Sequence, residues 1–435
     1  MSIELLSPAG TLKNMRYAFA YGADAVYAGQ PRYSLRVRNN DFSNENLCTG
    51  IQEAHRLNKK FYLASNLLPH NSKIRTYLAD MQPIMEMAPD ALIMSDPGLI
   101  MLVRERWPEA VIHLSVQANT MNSASVKFWY RQGISRVILS RELSLDEIEE
   151  IRQQCPEMEL EVFVHGALCI AYSGRCLLSG YMNHRDPNQG TCTNACRWSY
   201  NTHQVVEDET GDIKKITQGI CQTGQTPSDT AYLLEEQSRP GEFMPIFEDE
   251  HGTYIMNSKD LRAVQHVERL IAIGVNSLKI EGRTKSHFYV ARTAQVYRQA
   301  IENVVVNKPF DKNLMVALDS LANRGYTEGF YRRHVPQEYQ NYHQGSSIST
   351  KQQFVGEIIA IDANQKTCHI EVKNKFSIGD TLEWMTPERS ETRQLKYMED
   401  LKGNSIEVAP GSGYTVQVPT PDFDVSMGLI MKNLQ

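Results

Sequence analysis

Short runs of Val, Ile, Leu and Ala recur through the first 280 residues, and after most of them apolar positions return every three or four residues. A run that is apolar throughout suits a strand buried on both faces, and the longer periodic stretches suit helices laid against it. The pattern predicts eight strands, at 3–6, 23–28, 60–65, 91–94, 111–116, 136–139, 160–164 and 277–280. It predicts helices at 11–21, 45–57, 73–86, 98–106, 123–131 and 145–154 between them, and one more at 288–306. Strand and helix in alternation mean parallel strands with crossover helices, and eight such units fit an α/β (β/α)8 TIM-like barrel better than an open sheet.

Polar or small residues close most of these runs: Ser7-Pro8-Ala9-Gly10, Gly29-Gln30, Ser65-Asn66, Ser95-Asp96, Gln117-Ala118-Asn119, Ser140-Arg141-Glu142, His165-Gly166 and Glu281-Gly282-Arg283. In a barrel they would ring one face, the C-terminal mouth, where this fold keeps its chemistry. The seventh and eighth strands stand more than a hundred residues apart, so a long insertion, 166–256, is expected inside a catalytic domain spanning 1–310. A connector, 311–350, follows. Beyond it short alternating runs at 354–361, 367–372, 381–384, 404–408 and 414–418, broken by Gly379-Asp380 and Pro410-Gly411, predict a small β-barrel over 351–435.

Composition adds little until charge is located. Of the 435 residues 41% are hydrophobic and 22% charged, the balance of a globular protein, and the net charge of −6 argues against coating nucleic acid by bulk charge. Residues 201–250 hold eleven Asp and Glu against Lys214, Lys215 and Arg239, a local charge of −8 that leaves the rest of the chain at +2. The acidity therefore belongs to the insertion. A start without a basic region and long apolar run, and the lack of any twenty-residue apolar stretch, lead us to expect a cytoplasmic protein with no membrane partner.

In a reducing compartment eight cysteines point to metal, catalysis or core packing rather than disulfides. Cys48, Cys155 and Cys368 are isolated and read as packing residues. Cys169, Cys176, Cys192 and Cys196 form a C-x6-C-x15-C-x3-C run in a glycine-containing stretch. Four thiolates can wrap one cationic centre, and sulfur ligation selects an iron–sulfur cluster or zinc; the wide first pair leans toward a cluster. Cys221, inside the insertion, is an alternative to Cys196 as the fourth ligand.

The stretch from Glu161 to Ser179, together with Ser7-Pro8-Ala9-Gly10, Gly22-Ala23-Asp24-Ala25-Val26-Tyr27 and Lys279-Ile280-Glu281-Gly282-Arg283, resembles the collagenase-like peptidase family over essentially the whole chain. Ser258-Lys259-Asp260-Leu261, residues 324–330 and residues 354–380 are similar to a bacterial branch that makes 5-hydroxyuridine at the tRNA wobble position. That resemblance implies a barrel carrying a four-cysteine [4Fe–4S] cluster and prephenate as hydroxyl donor in place of molecular oxygen. Arg262 stands where other branches often have Asp-Leu-Cys, which points to Cys196 as the fourth ligand. The implied partners are the tRNA anticodon loop, prephenate and iron–sulfur assembly proteins.

Prephenate carries two carboxylates, so its pocket needs fixed cations and donors. Arg36, Arg38, Asn66, Gln117, Lys279 and Arg283 are the expected substrate-binding residues, and His165, Arg141 and Tyr27 the catalytic candidates. A wobble base in a single-stranded loop would be read by stacking and edge hydrogen bonds. The loop 31–38, which mixes arginines with Tyr33, is the first candidate for RNA contact and the terminal β-domain the second. Two other readings stand beside the hydroxylase. One is a metal- or cysteine-dependent peptidase, although no protease motif with nucleophile, base and orienting partner is present. The other is a noncatalytic iron–sulfur scaffold of a hydroxylation complex.

Overall fold

The computed structural model describes residues 3–35, 41–168, 259–323, 325–332 and 352–434, together with the backbone of six strands between 200 and 253. Eight parallel strands close on themselves: β1 (Glu4–Pro8), β2 (Ala25–Gly29), β3 (Lys60–Ser65), β4 (Ala91–Met94), β5 (Ile112–Leu114), β6 (Arg136–Ile138), β7 (Glu159–Ala167) and β8 (Ser277–Ile280). Each pairs with the next, and β8 pairs with both β7 and β1, as a (β/α)8 barrel requires. All residues of β2, β4 and β8 are buried, which explains the apolar runs of β2 and β4. Six of the helices start where the sequence supplies a side-chain cap. Thr11, Ser43, Asp96, Asn122, Ser144 and Ser286 each accept a backbone N–H from the first turn of the helix that follows.

Between β7 and β8 the insertion carries its own antiparallel sheet, in the order Phe243–Ile246, Tyr232–Glu236, Tyr200–Glu207, Ile213–Lys215. The chain returns through Asp260–Arg262, which runs antiparallel to the end of β7, and then through the helix Val267–Ile273 into β8. After β8 the helix His287–Val305 packs on the barrel. Residues 313–327 follow with the helix Asn313–Asp319 and the strand Tyr326–Thr327, which pairs with Asp260–Arg262.

The C-terminal sheet has seven antiparallel strands around a separate core that includes Val355, Ile370, Phe376, Leu382, Trp384 and Ile430. The strand expected at 404–408 is not there. Asp400 instead accepts the backbone N–H groups of Lys402 and Asn404 and folds the segment into a turn, leaving a two-residue strand, Val408–Ala409. Two further strands, Ser390–Gln394 and Leu429–Asn433, carry no alternating apolar signal long enough to reveal them; the first is a polar edge strand.

This sheet docks on the first and last barrel helices. The Tyr21 hydroxyl donates to the carbonyls of Met385 and Met427, both at 2.9 Å, and Phe288 stacks on Phe354 with centroids 5.1 Å apart. Arg292 pairs with Glu383 at 2.7 Å. Buried Glu357 lies 2.7 Å from His287 and accepts a hydrogen bond from Lys13; burial pushes its carboxyl up, and its polar neighbours, His287 and Lys13 first, more than reverse that.

The barrel interior is polar at its N-terminal end. Arg136 is buried and donates to Glu4 at 2.5 Å, Glu159 at 2.8 Å and Glu161 at 3.2 Å. Burial weighs against its charge, and the carboxylates of Glu161 and Glu4 hold its pKa above the ordinary arginine value. Removing one partner of a buried pair strands the other, so Arg136→Ala should cost about 3–5 kcal/mol, whereas Glu159→Gln, at a side chain 48% exposed, should cost less than about 1 kcal/mol. Urea unfolding followed by far-ultraviolet circular dichroism checks the contrast; equal losses would contradict it.

Candidate functional site

β8 is short, and its one charged residue, Lys279, is buried in the barrel interior. Its ammonium donates to Glu161 Oε1 at 2.7 Å and lies 4.1 Å from the centre of the Tyr27 ring. Glu161, with no exposed surface, is thus held between Arg136 and Lys279. Burial pulls the Lys279 pKa below its ordinary value, and Glu161 opposes that pull.

Above Lys279 the strand ends meet around a cavity of about 70 Å³. Tyr27, Asn66, Gln117, Arg141, Lys279 and Arg283 all line it, so six residues expected to act together from sequence do converge here. Glu281, Ser115, Leu35 and Phe163 complete much of the wall and were not among the expected site residues. Arg141 donates to the Ala167 carbonyl at 2.7 Å and to Glu281 at 3.3 Å, with its guanidinium 3.8 Å over the Phe163 ring. Arg283 donates to the Leu35 carbonyl. Gly29 makes that position possible, because a Cβ there would collide with Arg283 Nη1. Asn66 accepts from Leu35 N and donates to Ser115 Oγ, each at 3.2 Å. The Tyr27 hydroxyl is occupied by the Ile280 carbonyl at 3.0 Å, leaving its ring as a platform for Lys279.

Three cations against one carboxylate, Glu281, give this lining an excess of positive charge, with the amide side chains of Asn66 and Gln117 beside it. Among the described residues the lining contains two hydroxyl groups, those of Tyr27 and Ser115, and no histidine or cysteine.

His165 is not in this cavity. Strict alternation along β7 would turn it inward with Glu161 and Phe163. The pairing with β8 slips at this point: Lys279 faces Phe163 but Ile280 faces His165, so one extra residue on β7 reverses the side. His165 is buried among Tyr289, Tyr297 and Tyr326, with ring centroids 5.5–5.8 Å away, and among the described residues its Nε2 has no hydrogen-bond partner. Burial, reinforced by Arg262 and Lys285, lowers its pKa to about 3.

Tyr33 also differs from its expected role. It is fully buried, and its hydroxyl bonds Asp80 and lies 2.9 Å from Thr76 Oγ1, so it offers no face for a base. Arg36, Arg38, Cys169, Cys176, Cys192, Cys196 and Cys221 lie outside the described residues. Leu168, one position before Cys169, is buried, and the neighbouring Ala167 carbonyl is the one that holds Arg141. Among the described residues no group of His, Cys, Asp and Glu is arranged for a metal, and no helix is long and apolar enough to cross a membrane.

Residues 10–341 match peptidase family U32, and residues 350–432 match the peptidase family U32 C-terminal domain. The chain is 62% identical to tRNA hydroxylation protein P of Escherichia coli over 99% of its own length and 96% of that protein. It is 59% identical to tRNA hydroxylation protein P of Haemophilus influenzae, with 99% and 96% of the two chains covered. At 29% identity it also matches the 23S rRNA 5-hydroxycytidine C2501 synthase of E. coli, over 83% of this chain and 47% of that protein.

The buried imidazole sets a pH dependence. Unfolded His165 takes up a proton near pH 6.5, whereas folded His165 stays neutral down to about 3. Its contribution to stability is therefore complete above pH 6.5 and falls by about 1.4 kcal/mol per pH unit below it. His165→Phe should bind one proton fewer on unfolding between pH 6.5 and 5, seen as a shallower slope of unfolding free energy against pH. An unchanged slope would contradict the buried, neutral state.

Proposed function

The chain belongs to peptidase family U32, and from that premise we propose that it is a tRNA hydroxylase that converts the wobble uridine to 5-hydroxyuridine with prephenate as hydroxyl donor. The near-full-length similarity to tRNA hydroxylation proteins supports the reaction class. The observation that carries the site is the barrel mouth, where Lys279, Arg141 and Arg283 converge on one cavity.

A dicarboxylate suits three fixed cations. Arg141 and Arg283 are each anchored to a backbone carbonyl, so they meet a ligand without first being ordered. Lys279 is tied to Glu161 beneath, which sets the depth to which an anion can descend. Asn66 and Gln117 supply amide groups at the rim for the neutral part of a ligand or the edge of a base. Replacing the hydrogen on uracil carbon 5 by hydroxyl withdraws two electrons from the base, so the donor must accept them. The same residues therefore have to hold donor and base together.

Cys169, Cys176, Cys192 and Cys196 would hold the [4Fe–4S] cluster. An all-sulfur donor set within 28 residues fits such a centre, and the run begins two residues after the strand end that positions Arg141. Four thiolates would occupy all four irons, so the chemistry the cluster supplies when bound is electron relay or structural support. The peptidase reading gains nothing from the mouth, whose lining holds Ser115 without a histidine among the described residues.

Nucleoside mass spectrometry tests the assignment. In a host lacking its own tRNA uridine hydroxylases, this chain should restore 5-hydroxyuridine-derived wobble nucleosides. Lys279→Met should restore less than about a tenth as much, the loss expected when a buried charge that meets the substrate is removed. No restoration by the wild-type chain would remove the hydroxylase reading. For the cofactor, anaerobically purified protein should be brown, absorb near ~400 nm and lose that band in Cys192→Ser. Colourless protein carrying stoichiometric zinc would overturn the cluster.

A further inference from the structure

Next to the mouth, residues 31–35 and 66–76 hold Arg32, Lys73 and Arg75 and no Asp or Glu, in a chain whose net charge is −6. These segments follow β2 and β3, neighbouring strands of the barrel, and they are knit together. Leu67 N donates to the Tyr33 carbonyl at 3.0 Å, Leu35 N to Asn66 Oδ1 at 3.2 Å, and the Tyr33 hydroxyl bonds Thr76 at 2.9 Å. Buried Tyr33 is therefore the rivet that brings the two loops into one ridge.

The charge on that ridge is not neutralised from within. Arg32 pairs with Asp80 at 2.7 Å, its side chain still 51% exposed, while neither Lys73 nor Arg75 has an ion-pair partner among the described residues. Lys73 is half-buried, Arg75 is exposed, and burial followed by the nearby Arg32 guanidinium lowers the Lys73 pKa. Holding like charges side by side disfavours the empty ridge and favours one carrying an anion. Leu35 and Asn66, at the inner ends of the two loops, also line the mouth cavity. The two loops that carry the ridge thus also form part of the cavity wall.

We propose that this ridge binds the phosphate backbone of the tRNA anticodon loop, so that the adjoining base can enter the mouth. The proposal rests on the reading of the chain as a tRNA hydroxylase and adds to it the surface that presents the RNA. A single strand suits it, because its phosphates are accessible while its bases are free to splay.

Fluorescence anisotropy with the full chain and a labelled anticodon stem-loop RNA, over a series of salt concentrations, tests it. The double variant Lys73→Gln/Arg75→Gln should bind about tenfold more weakly or worse, and the slope of log affinity against log salt should shrink by about 0.7 for each phosphate no longer neutralised. Lys127→Gln/Arg131→Gln, at exposed positions of the helix Ser123–Arg131, should bind like the wild type. Matching thermal melts exclude misfolding as the cause. Wild-type affinity and slope in Lys73→Gln/Arg75→Gln would overturn the ridge while leaving the hydroxylase reading intact. Failure of the wild-type chain to bind the RNA at all would remove both.

Discussion

The arrangement of this barrel turns on one buried carboxylate. Glu161 has no exposed surface and faces Arg136 toward the N-terminal end of the barrel and Lys279 toward the mouth. A buried carboxylate without partners is costly, so Glu161 depends on these two cations. Arg136 in turn gathers Glu4 and Glu159, the first residues of β1 and β7. Lys279 carries the constraint upward, its head fixed under Tyr27 and at the floor of the cavity. The mouth is thus built on a column of alternating charge instead of the layered aliphatic side chains that usually fill such a barrel.

Around that column the strand ends act as brackets. Arg141 is held by the Ala167 carbonyl and Arg283 by the Leu35 carbonyl, so neighbouring loops fix each other's cations. The C-terminal sheet braces the same assembly from outside. It grips the helix His287–Val305, which directly follows the segment bearing Glu281 and Arg283, through Arg292, Phe288 and His287. Twelve residues of that helix are buried, Arg292 and Thr293 among them, because it is covered on two sides.

Much of this is legible in the unfolded chain. Short, mostly apolar runs locate all eight barrel strands, since burial on both faces favours apolar residues at most of their positions. The polar strand ends bring Tyr27, Asn66, Gln117, Arg141, Lys279 and Arg283 to one mouth. What stays hidden depends on interactions without a linear signature. Glu161 stands in a strand of apolar neighbours, a visible oddity, but its partners are 25 and 118 residues away. The strand-end position of His165 points to the site, and a one-residue slip in pairing turns it to the outer face. Tyr33 has the sequence surroundings of a surface aromatic among arginines, yet Asp80 and Thr76 hold it inside. In the C-terminal sheet the polar edge strand Ser390–Gln394 lacks the apolar positions that mark a strand in sequence.

The closure of β1 on β8 joins residues 4–6 to 277–279, nearly opposite ends of the barrel sequence. A chain emerging from the ribosome must therefore hold β1 with one edge unpaired until the insertion and the return through Asp260–Arg262 have been made. During that interval the Glu4 carboxylate can find Arg136, but Glu161 lacks its lysine. The last seam to zip is also the one that seats Lys279. Completion of the barrel and completion of its binding site are consequently the same event, so a partly synthesised chain cannot display a finished mouth.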